Sequence, residues 1–70
     1  MQRVKVSSSN IHSIGYELTS NILEVQFLTG SVYQYYNVPS LIHSSLMSAS
    51  SHGSYLAAHV KGAYRYKQIS

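Results

Sequence analysis

The first half of the chain alternates apolar and polar residues with a period of two, which is typical of half-buried β-strands. Residues 3–6 alternate over a length that predicts a short edge strand. Residues 11–18 and 22–27 alternate on either side of Ser20-Asn21, which predicts a hairpin with a two-residue turn. In that register three apolar pairs share one face of the sheet: Ile14 with Phe27, Tyr16 with Val25, and Leu18 with Leu23.

A second hairpin is predicted to turn at residues 28–30, because Gly30 suits the left-handed position of a three-residue loop. This register puts Tyr33 and Tyr35 on the same face as the apolar pairs, which we call the core face. A two-residue turn would instead bury Gln34 without a partner, and this disfavours it. The residues that then point to the opposite, open face are Val32, Gln34 and Tyr36.

The alternation ends at Pro39, because proline cannot continue a central strand. The apolar residues that follow have helical spacing. Apolar residues three to four positions apart predict one helix over 40–48 and a second over about 53–61. Residues 64–69 alternate again and predict a last strand or an ordered tail. This order predicts an α+β fold, in which an antiparallel meander of about three to five strands carries two short helices on one face.

The length of 70 residues predicts one domain that spans residues 1–70. A chain this short buries only about 60% of the surface that its unfolded form exposes, so we expect function on a surface, an edge or a small groove. The absence of cysteine excludes disulfides and thiolate zinc sites and favours a reducing compartment. The N-terminus lacks a signal-peptide pattern and no apolar run approaches about 20 residues, which predicts a cytoplasmic protein without membrane contact.

The charged residues are few and unevenly placed along the chain. Both acidic residues, Glu17 and Glu24, lie between two groups of basic residues near the ends, and the formal net charge is +3. If the ends meet in the fold, the basic residues form one patch that attracts phosphates. The alternative is that they serve only solubility, since they fall well short of the basic stripes used on duplexes. The basic residues are Arg3, Lys5, Lys61, Arg65 and Lys67.

Seven tyrosines are a second source of ligand contact, because aromatic rings stack on unpaired bases. Tyr16, Tyr33 and Tyr35 fall on the core face, where we expect them to pack with their hydroxyls at the rim. Glu17 and Glu24 point to the open face, which disfavours that face as a platform for RNA. The better stacking candidates are Tyr36, Tyr64 and Tyr66. The predicted nucleic-acid-binding residues are therefore Arg3, Lys5, Lys61, Tyr64, Arg65, Tyr66 and Lys67.

Other candidate sites have weaker support in the sequence. Ser51, Gly53 and Ser54 lie at the start of the second helix, where backbone N–H groups favour an anion, although N-capping by Ser51 explains the same pattern. His52 and His59 are separated by about 10 Å of helix, which is too far for one metal ion. No aspartate can orient a histidine and no glycine-rich phosphate loop is present, so we expect neither catalysis nor a cofactor.

A set of spaced motifs runs through most of the chain, from about residue 4 to residue 66. The motifs are Ile14-Gly15-Tyr16, Leu23-x-Val25-x-Phe27-x-x-Gly30, Val32-Tyr33-x-Tyr35-x-x-Val38-Pro39, Ala49-x-Ser51-x-Gly53-x-Tyr55 and Val60-Lys61-x-x-Tyr64. Together they resemble the KTSC domain, a family named for the C-terminal part of some lysyl-tRNA synthetases. The resemblance implies a small domain that also occurs alone, with RNA as a candidate partner and no assigned catalytic residues.

The sequence therefore predicts a small non-catalytic module that binds RNA through its basic terminal segments. The alternative is a protein-interaction or self-associating domain with no nucleic-acid role. A possible free edge strand supports this alternative, together with apolar residues expected to be exposed on the open face and at its turn. These residues are Leu28, Val32 and Tyr36.

Overall fold

The computed structural model describes residues 1–70, which form a five-stranded antiparallel sheet and two helices. The strands are β1 (Arg3–Lys5), β2 (Ile11–Glu17), β3 (Ile22–Phe27), β4 (Val32–Tyr35) and β5 (Tyr66–Gln68), and the helices are α1 (Ser40–Ser48) and α2 (His52–His59). The strands lie in the sheet in the order in which they occur in the chain. The predicted α+β meander is confirmed, and the C-terminal alternation forms its fifth strand.

The core lies between the sheet and the two helices. Strands β2 and β3 contribute Ile14, Leu23 and Val25, while α1 and α2 contribute Leu46 and Leu56, and none of these side chains is exposed. Complete burial of such a side chain stabilises the fold by about 1.5–3 kcal/mol, so these residues hold the helices against the sheet. The other buried members of the cluster are Ile11, Tyr35, Val38 and Val60.

The first hairpin has a different register from the predicted one. Tyr16 pairs with Leu23 and Ile14 pairs with Val25, which is a shift of two residues, and the turn contains the four residues 18–21. An even shift leaves every side chain on its predicted face because the strand period is two. Asn21 makes the longer turn possible, since it adopts a left-handed conformation with φ of 56°.

The amide of Asn21 also connects this turn to the start of the helical segment. Its Nδ2 donates to the Tyr16 hydroxyl at 3.1 Å and to the Val38 carbonyl at 3.3 Å. The Tyr16 hydroxyl donates to the same carbonyl. These hydrogen bonds satisfy polar groups at the edge of the core and compensate for the longer turn.

The second hairpin follows the predicted register. Gly30 has φ of +98°, and its N–H donates to the Phe27 carbonyl at 2.9 Å. Tyr33 and Tyr35 pair with Val25 and Leu23, which confirms that both tyrosines lie on the core face.

Val32 and Tyr36 are less accessible than the sequence pattern indicated. Val32 lies opposite Gln26 on the open face as predicted, but only 5% of its surface is exposed. Residues Ile69 and Ser70 extend the β4–β5 pairing along Val32 through backbone hydrogen bonds of 2.8 and 3.1 Å. Tyr36 is half-buried. The prediction that both residues are exposed was therefore wrong.

Candidate nucleic-acid interface

The basic residues of the two chain ends do not form one patch. Arg3 and Lys5 belong to β1 at one edge of the sheet, whereas Lys67 belongs to β5 at the other edge. Four strand intervals separate these edges, which amounts to about 19 Å. A meander without a crossover places its first and last strands furthest apart unless the sheet closes into a barrel. The predicted convergence of the ends was wrong.

At the β1 edge, the side chain of Arg3 lies across Gly15 and reaches Glu24. Arg3 pairs with Gly15 in the β1–β2 ladder, and Gly15 pairs with Glu24 in the β2–β3 ladder. A Cβ atom on Gly15 would lie 2.7 Å from the carbonyl oxygen of Gln2 and 3.1 Å from Cγ of Arg3. The absence of a side chain at Gly15 therefore lets Arg3 form its ion pair with Glu24.

The carboxylate of Glu24 is fully engaged within the domain. Only 6% of Glu24 is exposed, and its second oxygen accepts a hydrogen bond of 2.8 Å from Nε2 of Gln34. Nη2 of Arg3 also donates to Oε1 of Gln26 at 3.4 Å, and the Tyr36 hydroxyl donates to Oε1 of Gln34 at 3.2 Å. Glu24 lies on the open face as predicted, but it is a buried ion-pair partner. Arg3 is consequently committed to an internal contact.

At the opposite edge, part of the core face is left uncovered by the helices. A groove of about 590 Å³ opens there, and its walls carry four aromatic rings and one lysine. No acidic residue lines it. The lining residues are Asn10, Phe27, Thr29, Ser31, Tyr33, Tyr35, Lys61, Gly62 and Tyr66.

The rings of this aromatic groove form a continuous series across β3, β4 and β5. Phe27 and Tyr33 meet edge to face with centroids 5.6 Å apart, and Tyr66 lies 5.9 Å from Tyr33 and 6.0 Å from Tyr35. Tyr35 forms the buried floor, where burial raises the pKa of its hydroxyl and the neighbouring tyrosines raise it further. Tyr66 is 62% exposed, so its ring is available to a ligand.

Lys61 reaches the groove from the end of α2. Its N–H donates to the carbonyl of Leu56 at 2.9 Å, and Gly62 follows with φ of +81°, which turns the chain back towards the sheet. The ammonium of Lys61 lies 5.1 Å from the centroid of the Phe27 ring. A cation–π contact of this kind is worth about 0.5–1 kcal/mol at an exposed site.

A second, more polar groove of about 440 Å³ lies on the other side of β5. Arg65 and Lys67 line it together with Tyr36 and Asn37, and Tyr66 lines both grooves. Side chains alternate along a strand, so β5 presents Tyr66 to the core face and Lys67 to the open face. This edge therefore combines exposed aromatic surface with cations that have no acidic neighbour in either groove.

Comparison with known proteins assigns the chain to a family. The KTSC domain pattern matches residues 7–64. The chain belongs to the KTSC domain family. A crystal structure of a KTSC domain protein from Yersinia pestis superimposes with a TM-score of 0.96 at 42% identity, covering 99% of this chain and 97% of that one.

Two relatives show the settings in which KTSC sequences occur. A lysine–tRNA ligase of Trichormus variabilis is 37% identical over 67 residues, which cover 96% of this chain and 12% of the ligase. A protein of Stutzerimonas stutzeri is 39% identical over 70 residues, which cover 99% of each chain. This KTSC domain thus spans about an eighth of the length of the ligase that it matches.

The residues that resemble the KTSC pattern divide between fold and groove. Three of them stabilise the fold. Gly15 leaves room for the side chain of Arg3 to reach Glu24, and the Tyr16 hydroxyl donates to the Val38 carbonyl. Phe27, Tyr33 and Tyr35 line the aromatic groove, as does Lys61. The sequence pattern assigned Phe27, Tyr33 and Tyr35 to the core. It did not reveal that the helices cover this part of the core face incompletely. A usable signal in the sequence was that residues 53–61 of the second predicted helix contain only two large aliphatic side chains, Leu56 and Val60.

Tyr64 and the serine cluster have structural roles in the KTSC domain. Tyr64 packs against the core at half burial, so its ring is less available than that of Tyr66. Ser51 caps α2, because its Oγ accepts from the Ser54 N–H at 3.3 Å. The side chain of Asn10 lies where a Cβ of Gly53 would be. The alternative reading of these residues as an N-cap is thus observed, and anion binding at Ser51, Gly53 and Ser54 stays a prediction.

The two helices, of nine and eight residues, fall short of the length and hydrophobicity that a membrane-spanning helix needs. No three potential metal ligands among histidine and carboxylate side chains cluster together.

Proposed function

We propose that this KTSC domain is a non-catalytic module that binds single-stranded RNA along its β5 edge. The observation that carries the proposal is the position of Tyr66, which lines both the aromatic groove and the groove that holds Arg65 and Lys67. A strand of RNA that crosses this edge stacks bases on one side and places phosphates against cations on the other. Of the seven residues named from the sequence, Lys61, Arg65, Tyr66 and Lys67 remain in the proposed site.

Stacking provides the first part of the binding energy. Base–aromatic stacking is worth about 1–3 kcal/mol per base and accepts every base, because each base has a π-face. The exposed ring of Tyr66 and the half-buried rings of Phe27 and Tyr33 offer such faces. Bases in a duplex are already stacked on each other, so this surface selects unpaired nucleotides.

Electrostatic attraction provides the second part. Lys61, Arg65 and Lys67 lie at the two grooves, whose linings contain no carboxylate. Glu24 is neutralised by Arg3 on the open face, and Glu17 accepts a hydrogen bond from Ser20 at the first turn. A phosphate that approaches the β5 edge therefore meets cations without a competing acid.

The relatives provide independent support for RNA as the partner. Several curated proteins that match this chain carry the name lysine–tRNA ligase, and the KTSC segment forms a small part of their length. A segment retained next to a tRNA-dependent enzyme is consistent with a role in RNA contact. The alternative of self-association rested on exposed apolar residues and on a free edge strand. It loses Val32 and Tyr36, and it keeps Leu28, which is 56% exposed, and the edges at β1 and β5.

A titration with labelled octauridylate at low salt tests the proposal. We expect Tyr66→Leu to weaken binding about tenfold, because it removes one stacking face worth about 1–3 kcal/mol. Tyr66→Phe is the matched control, since it keeps the ring and should retain affinity within about twofold. Equal affinities for wild type and Tyr66→Leu would remove the β5 edge from the RNA site.

A further inference from the structure

Lys61 closes one wall of the aromatic groove in the free domain. Its ammonium stands 5.1 Å from the centre of the Phe27 ring and so occupies the face on which a base would stack. Lys61 is exposed and follows the last turn of α2, where its side chain has room to move. No carboxylate in the groove competes for this ammonium.

The size and lining of the aromatic groove suit one nucleotide. Its volume of about 590 Å³ falls within the range of about 300–1,000 Å³ that is usual for small-molecule sites. Its lining combines four aromatic rings with the polar groups of Asn10, Thr29 and Ser31.

We infer that the groove takes one nucleotide, free or within a strand, and that Lys61 exchanges the Phe27 ring for the phosphate of that nucleotide. The base stacks on the face of Phe27 that Lys61 leaves, and the displaced ammonium pairs with the phosphate. A charge-assisted contact with a phosphate is stronger than a contact with the ring, so the exchange favours ligands that carry both groups. This inference rests on the proposed function and specifies the ligand at the same edge.

The exchange makes Lys61 unfavourable for a ligand without phosphate and favourable for one with phosphate. Removing the ammonium should therefore have opposite effects on a nucleoside and on its monophosphate. We expect Lys61→Gln to bind adenosine several-fold more tightly than wild type does. The same variant should bind adenosine 5′-monophosphate several-fold more weakly.

Titrations of the full chain followed by the ring-proton NMR signals of Phe27 and Tyr66 measure both affinities. Lys5→Gln is the matched control, because it removes the same charge from the opposite edge and should leave the ratio of the two affinities unchanged. A parallel titration with octauridylate distinguishes a free nucleotide from one within a strand as the source of the ligand.

Each outcome decides between the inference and its competitors. Opposite shifts in the two affinities support the exchange. A parallel loss of both affinities in Lys61→Gln, or no change in either, overturns it, and so does a failure of either small ligand to shift the ring signals. Octauridylate binding without these shifts retains the proposed function and rejects the groove. Mononucleotide binding without octauridylate binding supports the groove as a nucleotide site and rejects the proposed binding of single-stranded RNA.

Discussion

The two edge strands of the sheet carry similar charges and use them differently. Strand β1 contributes Arg3 and Lys5, and the segment that includes β5 contributes Arg65 and Lys67. At the β1 edge, Arg3 crosses the sheet to a buried carboxylate and joins a network of glutamines. At the β5 edge, the cations line grooves without acids, next to an exposed aromatic ring.

This difference shows that the net charge of a small domain says little about where a polyanion binds. A cation that pairs with a buried acid cannot be removed without leaving that acid unpaired, and it is not free to attract a phosphate. We therefore expect changes at the β1 edge to alter stability and changes at the β5 edge to alter binding. The following predictions test this separation, from the largest expected effect to the smallest.

The largest effect is expected from Arg3→Ala. The substitution leaves the carboxylate of Glu24 with only its hydrogen bond from Gln34, and we expect the free energy of unfolding to fall by about 2–3 kcal/mol. Urea denaturation followed by circular dichroism measures the change. Lys5→Ala on the same strand is the control and should cost less than about 0.5 kcal/mol. Equal losses for both variants would show that the ion pair contributes little.

Gly15→Ala should destabilise the domain at the point where the side chain of Arg3 passes over Gly15 to reach Glu24. The new methyl group meets the carbonyl of Gln2 and the side chain of Arg3, and crowding of this kind costs about 1–2 kcal/mol. A double-mutant cycle with Arg3→Ala sharpens the test, because the methyl group then has one neighbour fewer. We expect the combined loss to be smaller than the sum of the single losses. Simple additivity would mean that the crowding comes from Gln2 and Met1 and not from Arg3.

Lys67→Gln should weaken octauridylate binding several-fold and leave stability unchanged. One lost phosphate contact lowers the slope of log affinity against log salt by about 0.7 for a single strand. Lys5→Gln is its counterpart, because both lysines lie on the open face of an edge strand. Fluorescence anisotropy at several salt concentrations measures both slopes. A similar change for the two variants would contradict the separation of the edges.

The smallest effect concerns pH and the packing of α1 against β2. His43 stacks on Tyr16 with centroids 4.7 Å apart, and burial lowers the pKa of its imidazole. The unfolded chain therefore binds a proton at a higher pH than the folded chain does. As the pH falls through the unfolded value of about 6.5, the domain loses stability, and the loss is complete below the lowered folded pKa.

Unfolding measured at intervals from pH 8 to pH 5 tests this expectation. His43→Gln should have a flatter pH dependence than wild type. An unchanged profile in this variant would assign the acid sensitivity to other groups. The aromatic groove contains no histidine, so this loss should arise away from the β5 edge.

Much of the fold follows from the pattern of residues, because local periodicity determines which face each side chain takes. The bounds of α1 and the core-face positions of Tyr33 and Tyr35 were predicted in this way. The register of the first hairpin was not predicted, since a shift of two residues leaves each side chain on the same face of the sheet. The deciding contact joins Asn21 to Val38, which is distant in sequence.

The candidate site was only partly predictable for a related reason. Tyr66 and the cations at residues 61, 65 and 67 stand out in the sequence as exposed polar or aromatic candidates. Phe27 and Tyr33 looked like core residues, because alternation indicates a face and does not indicate how far the helices cover it. The commitment of Arg3 to Glu24 also depends on three strands in register, which no local pattern reveals.

Because the strands lie in chain order, most of the sheet forms between neighbours in sequence, and only β5 returns from a distance. It joins β4 after both helices have intervened, it has three residues, and all of them are exposed. Such a strand opens by local unfolding before the buried central strands do. The Ile69 amide, which donates to the Val32 carbonyl at 2.8 Å, reports that opening through its rate of hydrogen exchange.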